Sequence, residues 1–247
     1  MSERVIILGA ASAVAEAVCR RYAAKGAHLL LAGRNPSTLD AIAADLRVRG
    51  AGQVLVESLD LDTEASPSAA FDRMVARLGG VDHVLLAYGV LGDQALAEAD
   101  EAHARSVLSV NFLSASLWCL AVARVLEEQG RGALVAIGSV AGDRGRQSNY
   151  VYGSAKAGLA VLVQGLAHRL SRSGVRAVVV KPGFIDTPMT NHLPKGGPLW
   201  ASPDTVAGII YKAAYSGGSI VYAPWFWRFI LLIIRLVPAP IFHKTKL

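Results

Sequence analysis

The sequence predicts an α/β protein with a doubly wound, mostly parallel seven-stranded sheet and helices on both faces. Seven short apolar runs alternate with helical patterns of ten or more residues, an alternation that is typical of βαβ units. The central runs are apolar throughout, as expected of parallel strands that are covered on both faces. Because crossovers between parallel strands are right-handed, these units favour a Rossmann-like arrangement.

The predicted elements follow one another along the chain without an internal repeat. The strands are expected at Val5–Leu8, His28–Ala32, Gln53–Glu57, Val81–Ala87, Ala133–Ile137, Arg176–Val180 and Ser219–Tyr222. The helices are expected at Val14–Ala24, Ser37–Arg49, Pro67–Leu78, Glu101–Glu128, Tyr152–Ser171 and Pro203–Ser216. The segment Phe184–Ser202 is rich in proline and glycine, and we expect it to be a long mobile loop.

The composition favours one folded domain over residues 1–247. Of the 247 residues, 53% are hydrophobic and 18% are charged, which excludes a disordered chain. Cys19 and Cys119 are the only cysteines, so a disulfide framework and a cysteine-rich zinc site are excluded, and no metal is expected. We expect both cysteines to be reduced core residues of a cytoplasmic protein.

The positive charge is concentrated near the C-terminus. The chain has a net charge of +6, and the segment Thr205–Leu247 contains five lysines and arginines but no acid. These cations interrupt an apolar run, which favours a membrane surface over nucleic acid as the partner. The run is too short and too charged to span a bilayer, so residues 223–247 are predicted to be an apolar, basic tail that lies at the membrane interface. The alternatives are that this tail packs on a neighbouring subunit or caps the substrate cleft.

The first predicted strand ends in a turn that could hold a pyrophosphate. Gly9 permits a tight turn, and Ser12, Ala13 and Val14 begin a helix whose free N–H groups could face an anion. The two further glycines of a dinucleotide fingerprint are replaced by Ala13 and Ala15. A plain strand–turn–helix packed by alanines is therefore an equal alternative.

The next two predicted strands end in residues that suit the adenosine half of a dinucleotide. Arg34 and Asn35 follow the second strand without an acid, and an arginine there could pair with a 2′-phosphate. Asp60 and Leu61 follow the third strand, where a carboxylate could accept from an adenine amine. A solvated arginine and a helix-capping acid are the ordinary alternatives.

A serine, a tyrosine and a lysine form the candidate catalytic group. Tyr152 and Lys156 are four residues apart and share one face of a predicted helix. Ser139 ends the fifth strand and faces the same crevice. A lysine ammonium near the phenol would lower its pKa toward neutrality, where a general acid works best. Tyr150 has no lysine four residues later, so Tyr152 is the expected proton donor.

Two further features complete the crevice. Asn111 could position a water beside Lys156, or it could be an ordinary polar residue inside a long helix. The turn Pro182-Gly183 follows the sixth strand, and backbone groups from there to Ile185 and Thr187 could hold a nicotinamide carboxamide. An ordinary turn at the end of a strand is the alternative for this segment.

Taken together, these residues resemble the short-chain dehydrogenase/reductase family over nearly the whole chain. The resemblance implies a catalytic tetrad of Asn111, Ser139, Tyr152 and Lys156, with Tyr152 and Lys156 also contacting the cofactor. It implies further cofactor contacts at Ala87 and Gly89, in Leu86-Ala87-Tyr88-Gly89, where the family has Asn-Asn-Ala-Gly. The Gly33–Asn35 segment is similar to that of NADP-preferring members, so NADP(H) is expected to be preferred, with NAD(H) as the alternative.

Within the family, the sequence resembles reductases that act on a keto sugar carried on a polyprenyl phosphate. The resembling stretches are Ala87–Asp93, Asp143–Arg146, Asn149–Ser154 and the tail. Arg144 and Arg146 lie between Ser139 and Tyr152, where they could bind a lipid phosphate. The alternatives are a reductase of a 3-oxoacyl or other small ketone, and a non-catalytic nucleotide-binding scaffold.

The resemblance and the surplus of apolar residues in Glu101–Glu128 predict a homodimer or homotetramer. We therefore expect a cytoplasmic reductase, with peripheral contact to the cytoplasmic membrane if the substrate is lipid-linked.

Overall fold

The computed structural model describes residues 2–191 and 194–245, and its centre is a seven-stranded parallel sheet. The strands are β1 (Arg4–Leu8), β2 (His28–Gly33), β3 (Val54–Ser58), β4 (His83–Leu86), β5 (Gly132–Ile137), β6 (Val175–Pro182), β7 (Phe184–Ile185), β8 (Trp200–Ala201) and β9 (Ile220–Ala223). The sheet order is β3-β2-β1-β4-β5-β6-β9, and β7 pairs with β8 outside it. The order reverses between β1 and β4, which opens a crevice at the carboxyl ends of these strands.

Helices cover both faces of this sheet, which confirms the doubly wound prediction. They are α1 (Ala13–Ala23), α2 (Pro36–Val48), α3 (Pro67–Leu78), α4 (Gln94–Ala99), α5 (Glu101–Leu108), α6 (Ala115–Gln129), α7 (Tyr150–Leu170), α8 (Pro203–Tyr215), α9 (Trp227–Leu236) and α10 (Ala239–Phe242). Along β1, Val5 and Ile7 pack with α1, α2 and α8, whereas Ile6 and Leu8 pack with α3, α6 and α7. This alternation explains why the central strands are apolar at every position.

The predicted helix Glu101–Glu128 is interrupted. A π-helical turn at Ser109–Ser114 separates α5 from α6, and such turns occur most often at functional sites. The whole stretch from Glu101 to Gln129 is long and apolar enough to cross a membrane, but about half of its most apolar part is buried inside the fold. Since α6 packs on α3 and on the sheet, the segment serves as a core helix here.

The predicted loop Phe184–Ser202 contains two short strands that the sequence did not predict. The two short strands β7 and β8 pair within it, and Asp186 N donates to Ala201 O at 3.0 Å. Phe184 and Trp200 stack with ring centroids 5.3 Å apart. His192 and Leu193 lie outside the described residues.

The C-terminal tail folds back onto the domain. Trp227 and Leu231 of α9 are buried against Val140, so this face of the helix is part of the fold. Residues 246 and 247 of the predicted tail lie outside the described residues.

Cys19 and Cys119 are both free and buried, as expected, and burial raises the pKa of each thiol to about 12.

Candidate active site

A cavity of about 840 Å³ lies at the carboxyl ends of the central strands. It brings together most of the residues that the sequence predicts: Ser12, Ala13, Val14, Ala87, Gly89, Asn111, Ser139, Arg146, Tyr152, Lys156, Pro182, Gly183, Ile185 and Thr187. Gly9, Arg34, Asn35, Asp60, Leu61 and Arg144 lie outside its lining. The cavity therefore joins the turn after β1 to the serine, tyrosine and lysine.

The candidate catalytic side chains meet between β5 and the start of α7. Ser139 follows β5, and its Oγ accepts from Ala141 N at 3.1 Å, which starts a short 3₁₀ turn. Ser139 and Tyr152 line the same part of the cavity. One turn further along α7, Lys156 Nζ lies 5.8 Å from the centroid of the Tyr152 ring and donates to Ile137 O at 3.2 Å.

The electrostatics of this group differ from the sequence-based expectation. Burial raises the pKa of Tyr152, and the nearby Ser139 hydroxyl offsets only part of that rise. Burial also lowers the pKa of Lys156 to about 8, since Lys156 is only 4% exposed. The predicted lowering of the phenol pKa by the ammonium is therefore corrected: in this pocket, loss of hydration dominates for both groups.

Asn111 lies in the π-helical turn and is fully buried. Its Nδ2 donates to Val90 O and Val107 O, both at 2.8 Å, and its Oδ1 accepts from Val90 N at 3.2 Å. Both amide hydrogens are thus used by the protein, and only Oδ1 retains capacity to accept from a water. Asn111 also borders Gly89, where an added Cβ would lie 2.7 Å from Oδ1 and 3.2 Å from Lys156 Nζ.

Tyr88 also lines the cavity, a position that was not predicted from the sequence. Its hydroxyl is 2.7 Å from Ser114 Oγ, which donates to Leu61 O at 2.7 Å. Trp118 Nε1 donates to the same carbonyl at 2.8 Å. This network connects the turn after β3, at Leu61, to the turn after β4. In the turn after β4, Ala87 replaces the family's second asparagine. The signal was present in the sequence, because a tyrosine stands where the family has an alanine.

The nucleotide end of the cavity fits a dinucleotide. Gly9 has a φ of +91°, and an added Cβ would lie 2.7 Å from Tyr88 N, so only glycine suits this turn. Ser12 caps α1 by accepting from Ala15 N at 3.1 Å, and Ala13 and Val14 begin the helix at the cavity wall. A helix N-terminus in this place offers N–H groups to a pyrophosphate even though two glycines are missing.

The residues predicted to bind the adenosine half lie at the ends of β2 and β3. Arg34 is exposed, and it forms no ion pair among residues 2–191 and 194–245. Asn35 caps α2 by accepting from Thr38 N at 3.2 Å. Asp60 accepts from Asp62 N at 3.0 Å. The side chains of Asn35 and Asp60 therefore shape their turns, and the Arg34 guanidinium is free to meet a ligand.

The Pro182-Gly183 turn is covered by the tail. An added Cβ on Gly183 would lie only 1.9 Å from the Trp227 ring, so the indole packs directly on this glycine. Beyond the turn, Thr190 Oγ1 donates to Ile185 O at 2.6 Å and accepts from Thr187 N at 3.3 Å. These bonds hold the backbone segment that was predicted to grip a nicotinamide carboxamide.

Arg144 has a structural role, in place of the predicted contact with substrate phosphate. Its Nη1 donates to Ile234 O, Arg235 O and Val237 O at 2.8–3.0 Å, and its guanidinium lies 4.1 Å from the centroid of the Phe242 ring. The guanidinium thus caps the C-terminal end of α9, where the helix dipole favours a cation. The sequence could not show this contact because about 90 residues separate its partners.

Arg146 does line the cavity. Its Nε is buried without a hydrogen-bond partner in the part of the chain that the structure describes, and loss of hydration lowers its pKa. Asn149 also lines the cavity. Its Oδ1 is buried and has no hydrogen-bond partner among the described residues. A buried polar group without a partner destabilises the fold unless a ligand forms its hydrogen bond.

In the described ranges, no three His, Cys, Asp or Glu side chains are grouped as metal ligands.

This fold and this cavity define the chain as a nucleotide-dependent oxidoreductase of the doubly wound class. The family model for short chain dehydrogenases matches residues 3–197, and the chain belongs to the short-chain dehydrogenase/reductase family. An uncharacterized oxidoreductase of Mycobacterium tuberculosis is 38% identical over 240 residues, which are 97% of this chain and 96% of that protein.

Two further relatives carry more specific names. A 3-oxoacyl-[acyl-carrier-protein] reductase of Bos taurus is 32% identical over 193 residues, or 78% of this chain and 80% of that protein. The crystal structure of levodione reductase superposes with a TM-score of 0.79 at 26% identity, covering 89% of this chain and 95% of the other. The family acts on carbonyl and alcohol groups, so the alternative of a non-catalytic scaffold is set aside.

Proposed function

We propose that this protein is an NADPH-dependent reductase of a keto sugar carried on a polyprenyl phosphate, as in decaprenylphosphoryl-2-keto-ribose reductases. The observation that carries the proposal is the position of Arg146. This arginine lines the same cavity as Ser139 and Tyr152, and its buried Nε has no hydrogen-bond partner among the residues that the structure describes. A phosphate near the reacting carbonyl would satisfy that donor by a charge-assisted hydrogen bond.

The residues of the cavity would transfer a proton to the substrate carbonyl and orient it. NADPH, when bound along the cavity from Ala13 to Thr187, supplies the hydride. Tyr152 donates the proton to the carbonyl oxygen, and Ser139 donates a hydrogen bond to the same oxygen. Lys156 places a cation beside the phenol as the phenolate forms. Asn111 fixes the backbone next to Lys156 by donating to Val90 O and Val107 O.

The preference for NADPH is carried by Arg34. This residue follows β2 without a neighbouring acid, and a charge-assisted pair with a 2′-phosphate contributes about 1.5–3 kcal/mol. We expect Arg34→Ala to weaken NADPH binding at least tenfold while NADH binding changes little. Titration of each cofactor, followed by quenching of tryptophan fluorescence, measures this difference, and Arg49→Ala on the far end of α2 is the control. Equal losses for both cofactors would remove Arg34 from 2′-phosphate recognition.

A second candidate is a reductase of 3-oxoacyl or other small ketones. The similarity to a 3-oxoacyl-[acyl-carrier-protein] reductase favours it, and the Ser–Tyr–Lys geometry serves either substrate. The two candidates differ in what they require of Arg146, because only a phosphate-bearing substrate needs its cation.

The test compares three ketones by the rate of NADPH oxidation: a farnesyl-phosphoryl 2-keto pentose, the same keto sugar without the phosphate, and an acetoacetyl thioester. The proposal expects the highest kcat/KM for the first. It also expects Arg146→Ala to raise KM at least tenfold for that substrate alone. A higher kcat/KM for the thioester, unaffected by Arg146→Ala, would establish the small-ketone reductase instead.

A further inference from the structure

The tail helix α9 is apolar on two opposite faces, and only one of them is used by the fold. Its inner face contains Trp227 and Leu231, which are 4% and 2% exposed. Its outer face carries large apolar side chains that recur every three or four residues, as one stripe on a helix does. They are Phe229, Leu232, Ile233 and Leu236, exposed by 54%, 49%, 66% and 73%.

Trp225 extends this outer stripe at the start of the helix. It is 71% exposed, and its ring packs edge-on against Phe229 with centroids 5.9 Å apart. Tryptophan is enriched where a protein meets the headgroup level of a membrane. A contiguous exposed patch of this kind on a folded protein marks an interaction surface.

Cations border the outer stripe. Arg228 and Arg235 are both exposed and lie seven residues apart on one edge of it. No acidic residue occurs from Thr205 to Leu247, so this part of the chain carries no internal counter-charge. The combination of an apolar stripe, a cationic edge and a terminal tryptophan is the pattern of a helix that lies in the plane of an anionic bilayer.

A second copy of the chain fits this stripe less well. In a two-fold interface, each surface meets its own copy, so the arginines of one α9 would approach those of the other without an acid between them. A span of the bilayer is also excluded, because ten residues of helix measure about 15 Å and the hydrocarbon core is about 30 Å thick.

We propose that the outer stripe of α9 docks on the surface of an anionic lipid bilayer. The inner face of the same helix then places the cavity at that surface, because Trp227 lines the cavity and packs on Gly183. Delivery of a lipid-linked substrate to the cavity rests on the proposed function, whereas docking itself does not.

Flotation of the full chain with vesicles tests the docking without substrate or cofactor. We expect the protein to float with vesicles that contain a third phosphatidylglycerol, and at least tenfold less with pure phosphatidylcholine. The double variant Phe229→Ser/Ile233→Ser and the double variant Arg228→Glu/Arg235→Glu should each lose at least tenfold in partition. Val48→Ser and Arg105→Glu, which alter exposed residues on α2 and α5, are the matched controls and should float like the wild type.

Two outcomes overturn the docking. One is a wild-type protein that remains at the bottom of the gradient with anionic vesicles. The other is an outer-stripe variant that floats unchanged but has a lower molar mass in light scattering, which would assign the stripe to a second copy. Reduction of a soluble ketone by the same variants is measured in parallel, and we expect it to be unchanged. A failure of docking with full ketone reduction would leave the reductase function intact.

Discussion

Two tyrosines at the start of α7, Tyr150 and Tyr152, lie in different environments. Tyr150 is 45% exposed, and its hydroxyl donates to Glu98 Oε1 at 3.0 Å on the surface. Tyr152 lines the cavity together with Ser139. The two side chains have the same chemistry, but only the second lies one helical turn from a buried lysine. The spacing to Lys156 was enough to distinguish them from the sequence alone.

This contrast provides a matched test of the proton donor. Tyr152→Phe should lower turnover at least a hundredfold, because a general acid contributes about 10²–10⁴-fold, while cofactor affinity stays nearly unchanged. Tyr150→Phe removes the same oxygen two residues earlier and should retain its turnover. Steady-state kinetics on one ketone measure both variants. Near-normal turnover of Tyr152→Phe would exclude it as the donor.

The buried Lys156 makes stability depend on pH in a defined direction. Its pKa is about 8 in the folded protein, against 10.5 when hydrated, so between these values the unfolded chain binds more protons. Stability therefore rises with pH across that window. Burying the charged Lys156 lowers the free energy of unfolding by about 3 kcal/mol. This loss is complete below pH 8 and absent above pH 10.5.

Urea unfolding at pH 7.5 and pH 10 measures this effect, with Lys156→Met as the reference. As the pH rises, the free energy of unfolding of the wild type should increase relative to that of the variant. A difference between the two proteins that stays constant would show that the lysine is not buried in a dry site.

At the scale of elements, periodicity predicted most helices and strands but not their interruptions. The strand runs and the helices on both faces follow from apolar spacing, which burial enforces directly. The order of the strands was not encoded in that spacing, since β1, β2 and β4 are all apolar on both sides. The break at Ser109–Ser114 was not predicted. Within it, the side chain of Asn111 donates to Val90 O and Val107 O. These contacts depend on the distant turn after β4.

The clamp between Arg144 and α9 is another long-range feature that the sequence could not reveal. Arg144→Met should destabilise the fold by about 1.5–3 kcal/mol, since three carbonyls lose a charged donor. Hydrogen exchange of the α9 amides should accelerate in the same variant. Arg146→Met, two residues later, is the control and should leave α9 protected. Unchanged protection in Arg144→Met would mean that Trp227 and Leu231 hold the helix without the clamp.

At the scale of the whole molecule, a second apolar surface points to self-association. Leu113, Leu117 and Leu120 are exposed by 58%, 45% and 44% around the π-helical turn and α6, and Val161 of α7 is exposed by 68%. A row of this size on a folded chain favours an interface between copies. The sequence indicated the surplus of apolar residues, but only the structure separates this row from the core.

We expect light scattering at micromolar concentration to give two or four times the chain mass of 26.0 kDa. Leu117→Asp should shift the mass toward that of a single chain, because it places a charge in the middle of the row. Val48→Asp, at a residue that is 89% exposed on α2, should not. A wild type that measures 26.0 kDa would exclude self-association through this row.

The π-helical turn inserts one residue between α5 and α6 without turning one helix relative to the other. An α turn closes with a bond across four residues and a π turn with a bond across five, so the extra residue is taken up within a single widened turn. Removing one residue from Ser109–Ser114 would let the helix close regularly, and Val107, which is buried between Gly92 and Asn111, would keep its side of the helix. In this segment, therefore, substitutions and deletions differ in kind: a substitution changes one contact, whereas a deletion removes the widened turn that contains Asn111.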